Sequence, residues 1–372
     1  MKSRRHFIQT MAKGSIAAAI GSHIPNFISA NVPNPNPLNE PVPKDLNPNK
    51  TLALGGVPLA GAWIDTPVED SLATLKTAWD KGIRHYDTSP RYGIGTSERR
   101  MGAFLSTKKE DEFIISSKVG RVLKPGIPEN KGIWKCNLYN NFINDYSEDA
   151  TKRSIEDSLL RLGLSKLDIV YIHDLSPDNK EFKGQFEYFF QQAVAGAIPT
   201  LQKLKEEGII KAWGFGVNRP DAVIRSLDII SPDICLLATQ YSILDHEEAL
   251  HSTFPALEKK KVKVAIGSPL NCGFLAGNNR WNYSGQPAPQ NIILKYAKMK
   301  AIADKMNVDL RSAALRFSLE HPIVSSLVVG ARSPKQISED YNSIYGDSKI
   351  STAFWKELKK QNLISHDAPT PQ

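Results

Sequence analysis

Eight short β-rich runs alternating with helical patterns predict an α/β chain closed into a (β/α)8, or TIM, barrel. Two further observations agree. The chain has 372 residues, of which 41% are apolar and 23% charged, which is close to the globular average and argues against disorder or fibrous repeats. Polar residues able to do chemistry also fall at the ends of the strand-like runs, where this architecture keeps its sites. A body of roughly 300 residues buries about three-quarters of its extended surface, so such a core needs neither disulfides nor metal.

The first strand is expected at Leu52–Gly56. The others follow at Ile83–Thr88, Phe113–Val119, Leu167–His173, Ala212–Val217, Ile234–Gln240, Val262–Ser268 and Val324–Gly330. Helices are expected at Val68–Lys81, Asp149–Leu162, Pro199–Glu207, Glu247–Lys260 and Gln290–Met306, whose apolar positions recur at three and four residues. Ile155, Leu159, Leu160 and Leu162 form one such stripe. A doubly wound sheet is the alternative, but it requires a glycine-rich turn after an early strand. Gly93-Ile94-Gly95 follows a strand, yet Glu98 stands at the third glycine position, so the dinucleotide fingerprint fails. The segment from Arg121 to Ser147 is expected as a long loop, and with Trp134, Cys136, Tyr139 and Tyr146 it is a candidate lid.

Ahead of the barrel lie two segments of different character. Ser3-Arg4-Arg5-His6-Phe7-Ile8-Gln9, then a small-residue apolar stretch through Ile16–Ile20, looks like a twin-arginine signal peptide over residues 1–30, with cleavage expected at Ala30. Its apolar part falls short of the roughly 20 residues that a membrane span needs. Residues 31–50 are rich in Asn and Pro and are expected to form an extended linker; the barrel occupies 51–372. The net charge is +8, but Lys2, Arg4, Arg5 and Lys13 supply four of those charges, so the body is too weakly basic to suggest a nucleic-acid partner. Cys136, Cys235 and Cys272 are too few and too irregular for a disulfide framework or a zinc pattern, although one bridge stays open for an exported chain. Cys235, in an apolar run, reads as a buried thiol.

The strand ends place Asp87, Lys118 and His173 on one rim, with Tyr92 in the loop just after Asp87. These four form a candidate proton-transfer set. A tyrosine is a poor acid or base at neutral pH, and a lysine ammonium near its oxygen would stabilise the phenolate. Asp87 would anchor Lys118, and His173 would donate a hydrogen bond to a reacting oxygen. Such a set suits the loss of a hydroxyl proton while a hydride leaves the same carbon; the hydride acceptor must be a cofactor, since no side chain takes one. A metal-dependent hydrolase through His85, Asp87 and His173 is a weaker reading, because the first strand lacks a His-x-His pair.

Tyr86-Asp87-Thr88-Ser89-Pro90-Arg91-Tyr92-Gly93 and Ser97-Glu98-Arg99-Arg100-Met101-Gly102 resemble the aldo-keto reductase signature. Ser117-Lys118-Val119-Gly120, Tyr171-Ile172-His173-Asp174 and Val329-Gly330-Ala331-Arg332-Ser333-Pro334 resemble its later blocks. Within that superfamily the chain is most similar to the D-threo-aldose 1-dehydrogenase, or L-fucose dehydrogenase, branch, through Arg91-Tyr92-Gly93-Ile94-Gly95, Ile243-Leu244-Asp245, Asn271-Cys272-Gly273 and the terminal Asp367-Ala368-Pro369-Thr370-Pro371. The resemblance implies Tyr92 as acid/base, tuned by Lys118 and Asp87, with His173 orienting the substrate oxygen. It also implies NADP or NAD across the barrel mouth. Asn218 and Gln240 would hold the carboxamide and Tyr241 would stack on the nicotinamide. Ser268, Pro269 and Leu270 would line the pyrophosphate, and Gly330, Arg332, Ser333, Gln336, Glu339 and Asp340 would surround the adenosine.

Arg332 is the one guanidinium expected near that adenosine, where many relatives carry both a lysine and an arginine, so NAD use or dual use is as well supported as strict NADP use. Asp340 stands where asparagine is usual and keeps an acceptor for adenine's amino group. Trp63, Trp134, Trp281 and Tyr283 are expected as an aromatic wall for a sugar ring. The expected reaction is oxidation of an aldose at C1 to a lactone. Aldehyde or ketone reduction by the same residues is the second reading, and a nucleotide-binding sensor on the same barrel is the third. Export would carry the folded protein, with its nucleotide, through the twin-arginine translocase to the periplasm.

Overall fold

The computed structural model describes residues 51–347 and 350–372, so the expected signal segment and linker lie outside the described residues. Eight strands form a closed barrel: β1 (Thr51–Gly55), β2 (His85–Asp87), β3 (Ile114–Val119), β4 (Ile169–His173), β5 (Ala212–Val217), β6 (Ile234–Ala238), β7 (Lys263–Gly267) and β8 (Val324–Gly330). Each pairs in parallel with the next, and β8 closes the circle on β1. The expected strands all form: two keep the expected bounds, one is shifted by a residue, and five are shorter by one to three residues.

Ala53, Tyr171, Leu236, Ala265 and Val328 make a small core inside the barrel. A larger core lies outside it, under the helices, and includes Trp213, Phe215, Phe254, Phe317 and Trp355. Side chains alternate along a strand, so the inward residues two positions further along form the next layer. That layer is the floor of the site described below.

Helix Thr96–Leu105 departs from the sequence expectation, because its sequence is largely polar. It forms because its polar residues find partners on burial. Glu98 accepts from Ser117 Oγ at 2.8 Å and from Arg161 Nε at 2.6 Å, and Thr88 Oγ1 lies 2.8 Å from Ser97 Oγ. At Gly102 a Cβ would sit 2.3 Å from the Leu162 carbonyl oxygen, so only glycine lets this helix meet helix Glu148–Leu162 so closely. The pair braces the loop carrying Tyr92.

Two other expectations change. The Arg121–Ser147 loop contains an antiparallel hairpin, Arg121–Pro125 with Asn140–Asn144, and Trp134 bridges back to Ala62. The helix expected at Glu247–Lys260 begins as a wider turn, Ala249–Thr253, before the α-helix Phe254–Lys259, which carries Pro255 in its first turn. All three cysteines are free, and Cys235 is buried. No helix among the described residues is long and apolar enough to cross a membrane.

Candidate active site

The inward layer at the C-terminal ends of the strands reads Gly55, Asp87, Lys118, His173, Gly216, Ala238, Gly267 and Gly330 around the barrel. Register ties it together: Gly55 pairs with Asp87 and with Gly330, and His173 pairs with Gly216. Three consecutive positions therefore carry ionisable groups, the ionisable half of the site, and the other five, its small half, carry almost no side chain. At Gly216 a Cβ would already stand 3.3 Å from both Lys118 Cε and Tyr171 Cβ. The small half of the layer is a sequence signal that the strand-by-strand reading missed.

In the ionisable half, Lys118 Nζ donates to both Asp87 oxygens, at 2.9 and 2.7 Å, and to the Thr88 carbonyl at 2.8 Å. Ser116 Oγ adds a 2.7 Å bond to Asp87 Oδ1. Lys118 and Asp87 are each only 2% exposed. A buried ion pair of this kind is stable only when fully hydrogen-bonded, as here, and losing either partner strands a charge. Burial pushes the Lys118 ammonium down while Asp87 opposes it.

Tyr92 closes over this pair, with Lys118 Nζ 4.6 Å from its ring centroid and the His173 ring edge-on at 5.6 Å. Burial raises the Tyr92 phenol well above its ordinary value, and Asp87, Tyr283 and Asp174 push it the same way. Burial therefore outweighs the stabilisation of the phenolate expected from Lys118. The three ammonium hydrogens are already directed at Asp87 and Thr88, and Asp87 cancels much of the positive charge. His173 Nδ1 lies 2.9 Å from Ser89 Oγ and Nε2 lies 3.5 Å from Asp174 Oδ2. Burial, then Lys118, Arg121 and Arg91, hold the imidazole well below its ordinary value, so it is neutral at physiological pH. The structure thus brings Asp87, Tyr92, Lys118 and His173 together.

A buttress behind them was not foreseen. Arg91 holds Glu181 Oε1 through Nε and Nη2 at 3.0 and 2.9 Å, and Arg121 Nε reaches Glu181 Oε2 at 3.1 Å. Arg121, only 1% exposed, also donates to Tyr146 Oη at 2.6 Å and to the His173 carbonyl at 3.0 Å. It therefore fixes the backbone of the histidine. The available signal was an arginine two residues past the end of β3.

Beside Tyr92 runs a cleft partly open to solvent. Of the expected residues, Asp87, Tyr92, Trp63, Tyr283, Ser268, Pro269, Leu270, Gly330, Arg332, Gln336, Glu339 and Asp340 line it. Trp63 and Tyr283 stack at 5.8 Å, Tyr283 Oη is 2.9 Å from Ser268 Oγ, and the Arg280 guanidinium sits 4.5 Å over Trp63. Arg280, Arg311, Gly267 and Cys272 also line the cleft and were not foreseen.

Several expected contacts are not made. Tyr241 is 0% exposed and stacks on Phe317 at 5.4 Å in the core outside the barrel, so its ring does not reach the cleft. Gln240 Nε2 donates to the Val217 carbonyl at 3.2 Å, and Asn218 Nδ2 lies 3.5 Å from Asp174 Oδ1; neither lines the cleft. Trp281 packs edge-on against Phe274, and Trp134 lies behind Tyr92 at 6.3 Å between ring centres. Ser333 caps helix Pro334–Tyr345 by accepting from Gln336 N. Arg311 grips Glu339 at 2.6 Å and Asp340 Oδ1 at 3.1 and 2.6 Å, so that Asp340 oxygen is already engaged instead of standing free for adenine.

The cleft fits a dinucleotide on its own geometry. Arg332 Nη1 and Arg280 Nε are buried and have no hydrogen-bond partner in the protein. Burial and the neighbouring Arg280 both push the Arg332 guanidinium down, the mark of cations gathered without an anion. Two guanidiniums facing a cleft without a carboxylate partner suit phosphate oxygens.

A model of the aldo/keto reductase family matches residues 51–362. The chain is 35% identical to a D-threo-aldose 1-dehydrogenase of Pseudomonas sp, covering 82% of this chain and 90% of that one. It is 33% identical to a pyridoxal 4-dehydrogenase of Microbacterium luteolum (84% and 94%) and 30% identical to an L-galactose dehydrogenase of Arabidopsis thaliana (79% and 83%). Among solved structures, the holo form of an aldo-keto reductase from Bacillus halodurans superposes with a TM-score of 0.64 at 21% identity, covering 84% of this chain and 92% of that one. A glycerol dehydrogenase from Gluconobacter oxydans gives 0.62 at 21% identity, covering 86% and 93%. These two likenesses establish the barrel.

Proposed function

Since the chain belongs to the aldo/keto reductase family of NAD(P)-dependent oxidoreductases, we propose that it oxidises the anomeric carbon of an aldose, of the D-threo-aldose or L-fucose type, to a lactone. The observation that carries this reading is the meeting of Tyr92, Lys118, Asp87 and His173 beside a cleft walled by Trp63 and Tyr283. The names of the relatives support it. An aldose, L-galactose and pyridoxal each close to an internal hemiacetal, whose hydroxyl-bearing carbon becomes a lactone carbonyl when it loses a hydride and a proton.

Arg280 and Arg332 would hold the phosphates of the nucleotide, with Ser268 to Leu270 and Gly330 lining its path and Gln336 closing the adenosine end. Bound there, the nicotinamide supplies the hydride acceptor. Tyr92 takes the hydroxyl proton of the substrate, and His173 holds the oxygen it leaves. Lys118 keeps a positive charge beneath the Tyr92 ring, and Asp87 keeps Lys118 in place. Trp63 and Tyr283 exclude water from one wall and offer apolar faces to a sugar ring.

The same site also serves the reverse reaction, with the ratios of substrate and nucleotide setting the direction. Tyr92 is held protonated, which is the form that gives a proton to a carbonyl oxygen. Carbonyl reduction is therefore the second reading. Absorbance at 340 nm, followed with L-fucose and other aldoses and either NAD or NADP, separates the two. Growth of reduced nucleotide, absent in Tyr92→Phe, is expected. A flat trace with aldoses, together with consumption of reduced nucleotide by aldehydes, would replace the first reading by the second. On the strength of Arg4-Arg5 and the apolar stretch after them, we also propose export of the folded chain; fractionation finding it only in the cytoplasm would overturn that.

A further inference from the structure

We propose that Ser89 is a positioning residue that fixes His173 as the tautomer protonated on Nε2, making it a donor and never an acceptor to the reacting oxygen. The proposal rests on the reading of Tyr92 and His173 as the groups that meet that oxygen.

The Ser89 side chain is fully buried and its Oγ has two neighbours: the Arg91 backbone amide at 3.0 Å and His173 Nδ1 at 2.9 Å. A backbone amide only donates, so Oγ accepts from Arg91. The remaining hydroxyl hydrogen then points to His173, and Nδ1 is the acceptor. With Nδ1 protonated, two hydrogens would converge on Oγ while its own had no acceptor in a buried site.

The opposite edge of the ring favours the same tautomer, but too weakly to fix it alone, since its contact is longer than an ordinary hydrogen bond. Nε2 faces Asp174 Oδ2 at 3.5 Å, so a lone pair there would oppose a carboxylate oxygen, whereas an N–H is attracted to it. The Asp174 side chain is itself set by a left-handed backbone (φ 45°), held as Asn179 Nδ2 donates to the Asp174 carbonyl at 2.9 Å. Lys118, Arg121 and Arg91 stand around the imidazole and disfavour a second proton. The ring is therefore neutral, with its single hydrogen on Nε2.

The consequence is a division of labour. A His173 that only donates cannot take the hydroxyl proton, so that proton has one destination, Tyr92. The loop 87–92 then carries the anchor of the lysine, the lock on the histidine and the acid/base itself.

The test is long-range 1H–15N correlation NMR of the full chain with 15N-labelled histidine, with His173→Asn used for assignment. The wild type is expected to show the Nε2–H form of His173 from about pH 6 to about pH 9. Ser89→Ala should mix the tautomers and lower kcat about tenfold, with KM changed by less than about threefold. Ser89→Thr, which restores a hydroxyl, should recover both the signal and the rate. An Nδ1–H or mixed His173 in the wild type would overturn the proposal without any variant. So would Ser89→Ala that keeps a pure Nε2–H signal, whatever happens to its rate. Full activity in Tyr92→Phe would instead defeat the functional reading and leave the tautomer result standing.

Discussion

Lys118 directs all three ammonium hydrogens to protein oxygens, whereas Arg332, across the same cleft, keeps a buried nitrogen that no protein atom meets. The contrast runs through both regions. Around Tyr92 the charges close on one another: Lys118 on Asp87, and Arg91 and Arg121 on Glu181. Around the small half of the layer, Gly267 and Gly330 clear the floor, and Arg280 and Arg332 face it with donors unused. The first region is organised before anything binds, which is what a proton-transfer site needs, since groups that must reorganise during the reaction raise its barrier. The second is left electrostatically incomplete, which is what an anion site needs, since its cations cost least when a phosphate arrives. If the two regions are separable, substitutions on one side should change rate and on the other affinity.

The largest expected effect is on the organised side. Tyr92→Phe should lower kcat by at least about a thousandfold, at the upper end of what positioned proton transfer supplies. Nucleotide affinity, read by fluorescence titration, should shift by less than about twofold. Lys118→Met should be as inactive and also less stable, by about 3–5 kcal/mol, because Asp87 is left as an uncompensated buried carboxylate. Chemical denaturation measures that difference. Nucleotide affinity falling in step with kcat in both variants would break the separation.

The pH dependence follows from the raised Tyr92 phenol. Oxidation needs the phenolate, a minority species below the raised value, so its rate should climb roughly tenfold per pH unit through the neutral range. Reduction uses the protonated phenol, already dominant there, and should stay flat or decline as pH rises. His173 adds no step near neutrality, because it is neutral throughout. An oxidation rate that is flat across that range would mean that another group takes the proton.

On the incomplete side, Arg332→Ala should weaken nucleotide binding about 10- to 100-fold, the loss of one charge-assisted contact, with kcat at saturating nucleotide nearly unchanged. Comparing NAD with NADP in this variant sharpens the result. An equal loss for both puts Arg332 on a phosphate they share, and a loss confined to NADP puts it on the extra one. Unchanged affinity for both would remove Arg332 from the site.

The organised half was legible in the sequence because its residues sit in contiguous motifs at the ends of strands, where chain order and period two dictate which way they face. The four residues at Asp87, Tyr92, Lys118 and His173 needed no knowledge of distant contacts. The other half was read less well. Arg280 comes from a two-residue strand outside the barrel, Arg280–Trp281, and Arg311 from the helix Leu310–Glu320, and no local pattern says that Arg311 would reach Glu339 and Asp340 across the packed helices. Tyr241 failed for a similar reason. It lies three residues past β6, beyond Thr239 in a left-handed conformation (φ 63°), and no local pattern shows that the ring leaves the mouth for the outer core. Arg121 was hidden in a segment expected only as loop.

Tyr241 also gives the smallest and most pointed test of where the cleft ends. Its ring lies against Phe317 and Phe254, and its hydroxyl is buried without a hydrogen-bond partner. Tyr241→Phe therefore keeps the packing and removes a polar group that gains nothing from burial. Deleting such a group is close to neutral or mildly stabilising, within about 1 kcal/mol. Thermal unfolding should accordingly show a melting temperature that is unchanged or slightly raised, and nucleotide affinity and kcat should both match the wild type. A Tyr241 at the mouth behaves differently, because its hydroxyl would be solvated or bonded to the ligand and its loss would register in affinity or rate while leaving stability alone. Stability and binding thus move in opposite patterns for the two placements, and this single hydroxyl marks the boundary between the core and the cleft.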